Sequence, residues 1–374
     1  MTSIRFEGRN AEFFATLRNR INAYFSENNL QPTGNWKLYW KTIILFATLI
    51  GSYLMVILLH PENSWIYLGY TIMGLSFAGI GFNVMHDGAH GSYSNSPWIN
   101  KLMANSLNLL GGNAFLWAEK HNIVHHSFTN IEGVDDDIDL WPLLRVNTAK
   151  KKLWFHKYQH IYGLPLYTIA YLAWIYMQDF KKYFTGKVVD RPFKNKLSAW
   201  KHIEFWASKL VYVFIFVLIP AYFIGIKTAL LGYFAMAIVT GICITIVFQL
   251  AHVVEDIHFV TDKAEAENEN KTIESINVED DWATHQIRTT SNFSTKSKTL
   301  TWLLGGLNFQ VEHHLFPKIS HIHYPKLNEI VKKTCEDFNV KYNEIPTFFE
   351  AVRSHFMHLK MIVLERIRKI YSYH

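Results

Sequence analysis

Four long apolar runs, grouped in two pairs, dominate the hydrophobic pattern of the chain. The first pair covers 41–60 and 65–85, and the second covers 205–225 and 228–251. Each run has about the 20 apolar residues that an α-helix needs to cross the hydrocarbon core of a bilayer. Because only a short turn separates the two runs of each pair, the pattern predicts two transmembrane hairpins.

Two weaker apolar stretches, 98–118 and 163–178, are less suited to crossing a membrane. Gly111 and Gly112 interrupt the first stretch, and the second is shorter than a full span. We expect both to form interfacial or core helices. A six-span arrangement would place the histidine-rich stretch 121–126 on the side of the membrane opposite to the other histidine clusters, and we reject it for that reason.

The two polar ends of the chain each predict a helix. Near the N-terminus, apolar residues recur at spacings of three and four at Phe14, Leu17, Ile21 and Phe25. This spacing indicates an amphipathic helix that lies on the membrane or on the protein itself. A basic helix is predicted from about 348 to 370, where Thr347 and Glu350 have the spacing of a capping box.

These elements predict an all-α integral membrane protein with four transmembrane helices and a helical cap. Four spans leave both ends and both large loops on one side, where Lys and Arg concentrate, while the short turns carry one lysine, Lys227. The positive-inside rule makes that side cytoplasmic. We therefore divide the chain into an N-terminal segment, the first hairpin, a cytoplasmic region, the second hairpin and a second cytoplasmic region, at 1–36, 37–85, 86–203, 204–251 and 252–374.

Composition supports the membrane assignment and excludes other classes. Hydrophobic residues make up 49% and charged residues 18%, against roughly 25% charged in soluble proteins. The net charge is +6, but no basic run is dense enough to follow nucleic-acid phosphates, so an anionic membrane surface is the better partner. Cys243 lies in an apolar run and Cys335 in a polar one, and no disulfide is predicted.

Histidines form three clusters and one single position beside the apolar runs. The clusters occur in HDGAH (86–90), HNIVHH (121–126) and QVEHH (310–314), and a single histidine ends the fourth apolar run. Neutral imidazole is the commonest metal ligand among side chains, and residues four apart share one helix face. The set exceeds what one ion needs, so it predicts two metals, with these candidate ligands: His86, His90, His121, His125, His126, His252, His313 and His314.

The ligand type narrows the chemistry of the predicted site. Histidine sites with open positions suit iron, zinc or copper, whereas structural zinc often uses cysteine. Carboxylate-bridged di-iron bundles use paired Glu-x-x-His motifs, and we find one such match, from Glu255 to His258. The remaining hypothesis is a pair of irons at the membrane face that activates oxygen against an unreactive C–H bond.

Several neighbouring polar residues are expected to have supporting or unrelated roles. Gln310 shares a helix face with the last cluster and is a possible ninth ligand position, and Asp87 could fix the tautomer of an imidazole from behind the ligands. The acidic run Asp135–Asp139 is expected to be a solvated loop or to support nearby histidines. Other histidines are expected at interfaces or against the substrate headgroup (His156, His160), in packing or in support of the ligands (His285, His321, His323), or on the surface (His202, His258, His355, His358).

HDGAH, HNIVHH and QVEHHLFP, in this order, resemble the three histidine boxes of the membrane fatty acid desaturases. The similarity extends over roughly 80–335 and includes the flanking text HNIVHHSFTNIEGVDDDID (121–139), THQIRTTSNF (284–293) and GGLNFQVEHHLFPKISHIHYP (305–325). Gln310 at the start of the third box resembles the front-end subgroup, which inserts a double bond between an existing one and the carboxyl end. Linoleoyl-type acyl desaturases of bacteria are the nearest likeness.

The resemblance implies an enzyme with a defined set of cofactors and partners. Two non-haem irons would be held by the eight histidines, with O2 as co-substrate and a long-chain acyl group on coenzyme A, a carrier protein or a phospholipid as substrate. The sequence has His60-Pro61 but no HPGG haem motif, so a separate electron donor of cytochrome b5 or ferredoxin type is expected. The positive cytoplasmic surface would suit an acidic donor. No catalytic residue is expected beyond the metal ligands, and the membrane would be the inner membrane of a bacterium or the endoplasmic reticulum of a eukaryote.

Three alternatives stay open on the residues alone. A fatty acyl or lipid hydroxylase shares the same metal site and differs in the product. A membrane zinc hydrolase would contain zinc and turn over without oxygen. A metal sensor or transporter would place polar residues inside its spans, and 41–60 and 228–247 contain few.

Overall fold

The computed structural model describes residues 3–8, 11–59, 64–261 and 275–364, and within them the fold is mostly helical. The α-helices are α1 Ala11–Glu27, α2 Trp36–Leu58, α3 Trp65–His90, α4 Pro97–Ala104, α5 Ser106–Leu109, α6 Ala114–Ala118, α7 Gln159–Ala173, α8 Asp179–Thr185, α9 Ala199–Ile224, α10 Ile226–His252, α11 Trp282–Arg288, α12 Lys298–Leu303, α13 Gln310–Leu315, α14 Tyr324–Asp337 and α15 Phe348–Val363.

Short segments of other geometry join or extend these helices. The π-helical segments are Gly81–Met85 within α3, Glu119–His125 after α6, Trp174–Gln178 between α7 and α8, and Phe214–Leu218 within α9; the 3-10 helices are Trp154–Tyr158 and His321–His323. The strands are β1 Ser3–Phe6, β2 Lys187–Val188, β3 Arg191–Pro192, β4 Ser275–Val278, β5 Asn292–Phe293 and β6 Glu344–Ile345. β1 pairs with β4 and β5 with β6 in parallel, and β2 pairs with β3 antiparallel.

Four of the described helices, α2, α3, α9 and α10, are long and apolar enough to cross a membrane. They correspond to the four predicted runs, so the number of candidate spans is confirmed by length and composition. Their bounds differ from the prediction in three helices: α2 and α9 begin earlier, at Trp36 and Ala199, and α3 continues past residue 85 to His90 because the first histidine cluster is part of the same helix. The predicted turn at 61–64 lies largely outside the described residues.

Glycine residues allow the apolar helices to pack closely against one another. A Cβ atom on Gly69 of α3 would lie 2.8 Å from Val56 of α2, and one on Gly74 of α3 would lie 2.7 Å from the carbonyl oxygen of Met236 in α10. Small residues let membrane helices pack backbone to backbone. The α3–α10 contact also contains a hydrogen bond from Thr240 Oγ1 to the Gly74 carbonyl, at 3.2 Å.

The two weaker apolar stretches fold differently from each other. The stretch 98–118 divides among α4, α5 and α6. Gly111, in the connection between α5 and α6, has a φ of +87°, and a Cβ atom on it would lie 2.9 Å from the Tyr212 ring. The stretch 163–178 lies in a continuous helical segment, 159–185, which packs on α10: a Cβ on Gly241 would meet the Tyr167 carbonyl oxygen at 2.7 Å. α7 is therefore a packed helix of the protein.

Helix α1 was predicted to lie either on the membrane or on the protein itself, and it packs on the protein. Its buried face consists of Phe13, Leu17, Ile21 and Phe25, packed in one cluster with residues of α13 and α14 such as Val311. Arg20 donates to Asp337 Oδ2 at 2.7 Å on the outer side. The sequence pattern pointed to Phe14, but that ring is only partly buried, against Trp282 and Phe316.

Helix α15 begins with the predicted capping box, in which Thr347 and Glu350 each accept a backbone hydrogen bond from the other. The predicted helix continued to 370, but residues 365–374 lie outside the described part. The surface placement of His355 and His358 was wrong: both are buried. His355 Nδ1 donates to the Val253 carbonyl at 2.6 Å, and His358 Nε2 donates to the Val146 carbonyl at 2.8 Å.

Candidate metal centre

The second histidine cluster lies on a π-helical turn, Glu119–His125, rather than on the α-helix that its spacing suggested. The backbone N–H of His126 donates to the carbonyl of His121, five residues earlier, at 3.1 Å. This wider turn brings both side chains to one side, with their Nε2 atoms 3.2 Å apart. π-turns inserted into helices are frequently found at functional sites.

The other candidate ligands lie at the ends of two membrane-type helices and on a short helix between them. His86 and His90 occupy the last turn of α3, directly after its π segment, and His252 is the last residue of α10. His313 and His314 lie on α13, a fully buried helix of six residues. The candidate ligands thus converge from four separate parts of the chain.

Three groups of candidate ligand atoms result, each with its members within 4.8 Å of one another; two contain only histidines, and the third joins His121 and His125 with Asp137. The first group contains His86, His90, His121 and His313, and the second contains His125, His252 and His314. Within them, the rings of His86 and His313 are 4.4 Å apart, and those of His125 and His252 are 4.7 Å apart. The arrangement can hold two metal ions side by side.

His126 lies between the two groups. Its ring stacks on His314 at 4.4 Å and meets His313 edge-on at 4.6 Å. Its Nε2 is 3.2 Å from that of His121, although His126 is not a member of either all-histidine group.

The hydrogen bonds behind the imidazoles show that the residues present fit a metal. In four of them Nδ1 is engaged by the protein, whereas Nε2 is buried and has no hydrogen-bond partner among the described residues. The Nδ1 contacts are His125 to Asp135 Oδ2 at 2.9 Å, His314 to Gln286 Oε1 at 2.8 Å, His313 to the Tyr324 hydroxyl at 3.0 Å and His252 to the Thr289 carbonyl at 3.4 Å. A buried lone pair without a partner is costly, and a nitrogen-preferring transition metal would satisfy all four.

Burial also sets the charge of the candidate ligands outside the apolar helices. Desolvation lowers the pKa of His121 to about 4 and those of His126, His313 and His314 well below the ordinary value. Metals bind the neutral imidazole, so this environment keeps the ligands in the binding form. His125 differs: burial opposes its charged form, but the nearby carboxylates of Asp135 and Asp137 together raise its pKa above the ordinary value.

Acidic residues of the predicted run reach the site. Asp135 is fully buried and accepts from His125 and from the Asn130 backbone N–H, both at 2.9 Å. Asp137 Oδ2 lies 3.6 Å from His125 Nδ1 and 3.8 Å from His121 Nδ1, and its other oxygen pairs with Lys120. The acidic run was predicted either to form a solvated loop or to support nearby histidines. Asp135 and Asp137 both lie against histidines, so the second alternative fits these two residues.

Gln310 and Asp87 are both buried. Gln310 lies at the start of α13, and its contact with a metal through water stays a prediction. The Asp87 carboxylate accepts from Ser320 Oγ at 2.6 Å and lies 3.0 Å from His321 Nδ1. Asp87 therefore contacts His321 rather than one of the eight imidazoles through these bonds.

The structure adds supporting residues that sequence reasoning did not single out. Gln286 and Thr289 lie on and after α11, and Tyr324 begins α14. All three occur in stretches whose sequence resembles the family, THQIRTTSNF and the segment 305–325. The resemblance of these stretches could therefore have pointed to the three residues. His156, expected at an interface, is instead buried with its Nε2 donating to the Pro142 carbonyl at 2.8 Å.

The chain is similar in sequence to known proteins over most of its length. Residues 62–346 match the sequence profile described as fatty acid desaturase. The chain is 35% identical to an acyl-lipid (8-3)-desaturase of Physcomitrium patens, over 97% of this chain and 74% of that protein. It is 32% identical to an sn-1 linoleoyl-lipid 6-desaturase of Arthrospira platensis, over 94% and 93%, and 33% identical to a probable Delta(5) fatty acid desaturase C of Dictyostelium discoideum, over 92% and 74%.

Proposed function

The chain belongs to the fatty acid desaturase family and is an oxidoreductase that desaturates fatty acyl groups, and on this premise we propose a specific reaction and site. It is a membrane protein with a metal centre. The proposed reaction is the oxygen-dependent insertion of a cis double bond into a long-chain acyl group at two non-haem irons. The observation that carries it is the convergence of seven imidazoles in two groups, five of which have a buried Nε2 without a hydrogen-bond partner among the described residues.

The proposed substrate is an acyl lipid that already contains a double bond. The relatives from Physcomitrium patens and Arthrospira platensis are named for acyl-lipid and linoleoyl-lipid substrates. We propose front-end regiochemistry, in which the new double bond lies between the existing one and the carboxyl end. The acyl-CoA is the alternative form of the substrate.

The eight proposed ligands act through their Nε2 atoms. When bound, the iron pair supplies the oxidising power that removes hydrogen from an unreactive C–H bond, with reduction of O2 to water. Asp135, Gln286, the Thr289 carbonyl and the Tyr324 hydroxyl engage the opposite ring nitrogens and thereby orient the rings. Such contacts fix the tautomer and the direction of the lone pair. We propose no acid or base among the side chains for the C–H step.

The proposed topology has two hairpins with the metal centre on the cytoplasmic face. It keeps the boundaries 1–36, 37–85, 86–203, 204–251 and 252–374, and the apolar helices α3 and α10 end at the candidate ligands His90 and His252. Two electrons come from a separate donor of cytochrome b5 or ferredoxin type in this proposal. Gln310 and Asp87 retain supporting roles, Gln310 through water and Asp87 through His321.

Expression in a host that lacks this activity tests the proposal. Defined fatty acids, with and without an existing double bond, are supplied, and the lipids are analysed by gas chromatography and mass spectrometry. We expect a product two hydrogens lighter, with the new double bond on the carboxyl side of the old one. Gain of one oxygen would instead identify a hydroxylase, and turnover without oxygen by a zinc-containing protein would identify a hydrolase.

A further inference from the structure

Hydrogen bonds hold four of the proposed ligand rings from behind, but the three remaining members of the first group have no such support. These members are His86, His90 and His121, whose Nδ1 atoms make no hydrogen bond within the described ranges of the chain. A carboxylate oxygen of Asp137 lies 3.8 Å from Nδ1 of His121, which exceeds the length of a hydrogen bond. Another kind of contact is needed to fix the direction of these three rings.

One aromatic side chain, Trp117, contacts all three of these imidazoles. Its indole stacks on the His121 ring, with centroids 4.4 Å apart and planes inclined by 26°. It meets the rings of His86 and His90 nearly at right angles, with centroids 5.8 and 5.9 Å apart. In the part of the chain that the structure describes, no other tryptophan, tyrosine or phenylalanine ring contacts any of the three.

The surrounding helices fix the position of the indole. Trp117 lies in α6, four residues before the second histidine cluster begins. Asn113 caps this helix, and its Oδ1 accepts from a backbone N–H of the first turn at 3.0 Å. The indole packs against Met85 of α3 and Leu107 of α5 in a small apolar cluster. Trp117 is therefore held between the end of α3 and the π-helical turn that carries His121.

Contact with the indole restricts the imidazoles and suits their metal-bound form. The torsion that turns an imidazole about its Cβ–Cγ bond has only a broad preference, so an unsupported ring can rotate away from a metal. A second ring stacked on it opposes that rotation by direct contact. An imidazole bound to a metal cation also carries more positive charge than a free one, and the face of an indole is negative. Stacking therefore favours the metal-bound state.

We propose that Trp117 is the positioning residue of the first group, and that ring contact with it directs these three imidazoles as hydrogen bonds direct the other four. This inference rests on the proposed function, because it concerns the same pair of metals. The indole contacts no ring of the second group among the described residues. Loss of the indole should therefore weaken one metal of the pair and spare the other.

Binding of Co²⁺ to the metal-free full-length protein in detergent tests the inference without turnover. Visible absorption follows coordination, and we expect two binding steps in the unsubstituted protein. His252→Ala removes a ligand of the second group, so the step that this variant retains belongs to the first group. Trp117→Leu is expected to weaken that step about tenfold or more and to leave the other unchanged. Equal weakening of both steps, weakening of the other step alone, or unchanged binding would overturn the inference.

Two further variants separate ring contact from packing. Trp174→Leu removes a tryptophan from the same apolar cluster, and Trp174 contacts no imidazole in the described part of the chain. This variant is expected to unfold at a lower temperature but to keep both Co²⁺ binding steps. An equal loss of Co²⁺ affinity in Trp174→Leu and Trp117→Leu would reduce the role of Trp117 to packing and contradict the inference.

The conservative change Trp117→Phe keeps an aromatic plane beside His121. It is expected to weaken the first step less than Trp117→Leu does, by about threefold, because a smaller ring retains part of the stacking. It also provides the test if the leucine variant does not fold. Weakening by Trp117→Phe as large as by Trp117→Leu, or confined to the second group, would argue against ring contact.

The inference and the proposed function fail in different ways. A protein whose first step is selectively weakened by Trp117→Leu, but which yields no unsaturated lipid, contradicts the proposed reaction alone. A protein that yields unsaturated lipid, while Trp117→Leu binds both ions normally, contradicts the positioning role alone. In the active enzyme, excess ferrous iron should restore product formation by Trp117→Leu, because all the ligands are still present and only their affinity is reduced.

Discussion

The Nδ1 atom of His125 lies 2.9 Å from Oδ2 of Asp135, and both side chains are fully buried. Asp135 is itself held by the backbone N–H groups of Asn130 and Asp137, at 2.9 and 3.0 Å. The carboxylate therefore has a fixed position and directs the His125 Nε2 towards His252 and His314.

Substitution Asp135→Asn is expected to lower the affinity for iron about 10- to 100-fold, because it removes the carboxylate that orients His125. Iron per protein, measured by elemental analysis after dialysis against a graded chelator, gives the result. Asp139→Asn is the matched control, since Asp139 is exposed in the same acidic run. Full iron content in the Asp135 variant would argue against an orienting role.

Alanine at His121, His125, His126 or His314 is expected to abolish the desaturated product without preventing membrane insertion. Each change removes one proposed ligand, while α2, α3, α9 and α10 keep their apolar surfaces. Gas chromatography of lipids from expressing cells, with immunoblots of the membrane fraction, provides both readouts. His202→Ala, at an exposed histidine, should remain active; normal product from any of the four variants would count against the site.

The amide of Gln286 offers a more selective test. Its Oε1 contacts His314 Nδ1 at 2.8 Å and accepts from Thr129 Oγ1 at 2.9 Å. Gln286→Leu removes this acceptor and is expected to reduce iron affinity and kcat about tenfold or more. Gln286→Glu keeps an acceptor and should retain more iron than the leucine variant. The reverse order, measured by the same chelator titration, would show that the contact is not required.

Glu312, which lies within the third histidine cluster, holds a network of buried hydrogen bonds. Its buried carboxylate accepts from Asn292 Nδ2 at 2.7 Å, from the Tyr342 hydroxyl at 2.8 Å and from Asn328 Nδ2 at 3.2 Å. Glu312→Ala would leave these donors unsatisfied and should destabilise the fold by about 2–4 kcal/mol. Thermal unfolding in detergent measures the loss, with exposed Glu329→Ala as control. Equal unfolding temperatures for the two variants would exclude the network as a stabilising element.

Glycine packing between the membrane-type helices gives a matched pair of alanine variants. A Cβ on Gly232 would lie 2.0 Å from the Tyr70 ring, whereas one on Gly51 meets nothing within 4 Å. Gly232→Ala should therefore destabilise the protein by about 1–3 kcal/mol through overpacking. Gly51→Ala should be neutral or slightly stabilising, because alanine is the better helix former. Unfolding temperatures of both variants decide the matter, and a neutral Gly232→Ala would contradict the α3–α10 contact.

Features encoded locally were predictable from the sequence. The four apolar runs and the box histidines were identified because hydropathy and spacing of four residues are properties of short segments. The face of α1 was found within one residue, at Leu17, Ile21 and Phe25. Its location on the protein depended on α13 and α14, which the local pattern does not contain.

Features that depend on distant partners were missed. Nothing in the spacing of HNIVHH distinguishes an α-helix from the π-turn that brings His121 and His126 together. Gln286 is a ring-orienting residue only because α11 packs beside α13. His355 and His358 have the polar side chains of surface positions, but carbonyl oxygens of Val253 and Val146 accept their protons in the interior.

The contact between Gly74 and Thr240 has a mechanical consequence. α3 ends in candidate ligands of the first group and α10 ends in a candidate ligand of the second, so the packing of these two helices helps to position the two groups of imidazoles. A side chain that forced the helices apart at this contact would move the histidines at their ends, although it would lie several helical turns away from them.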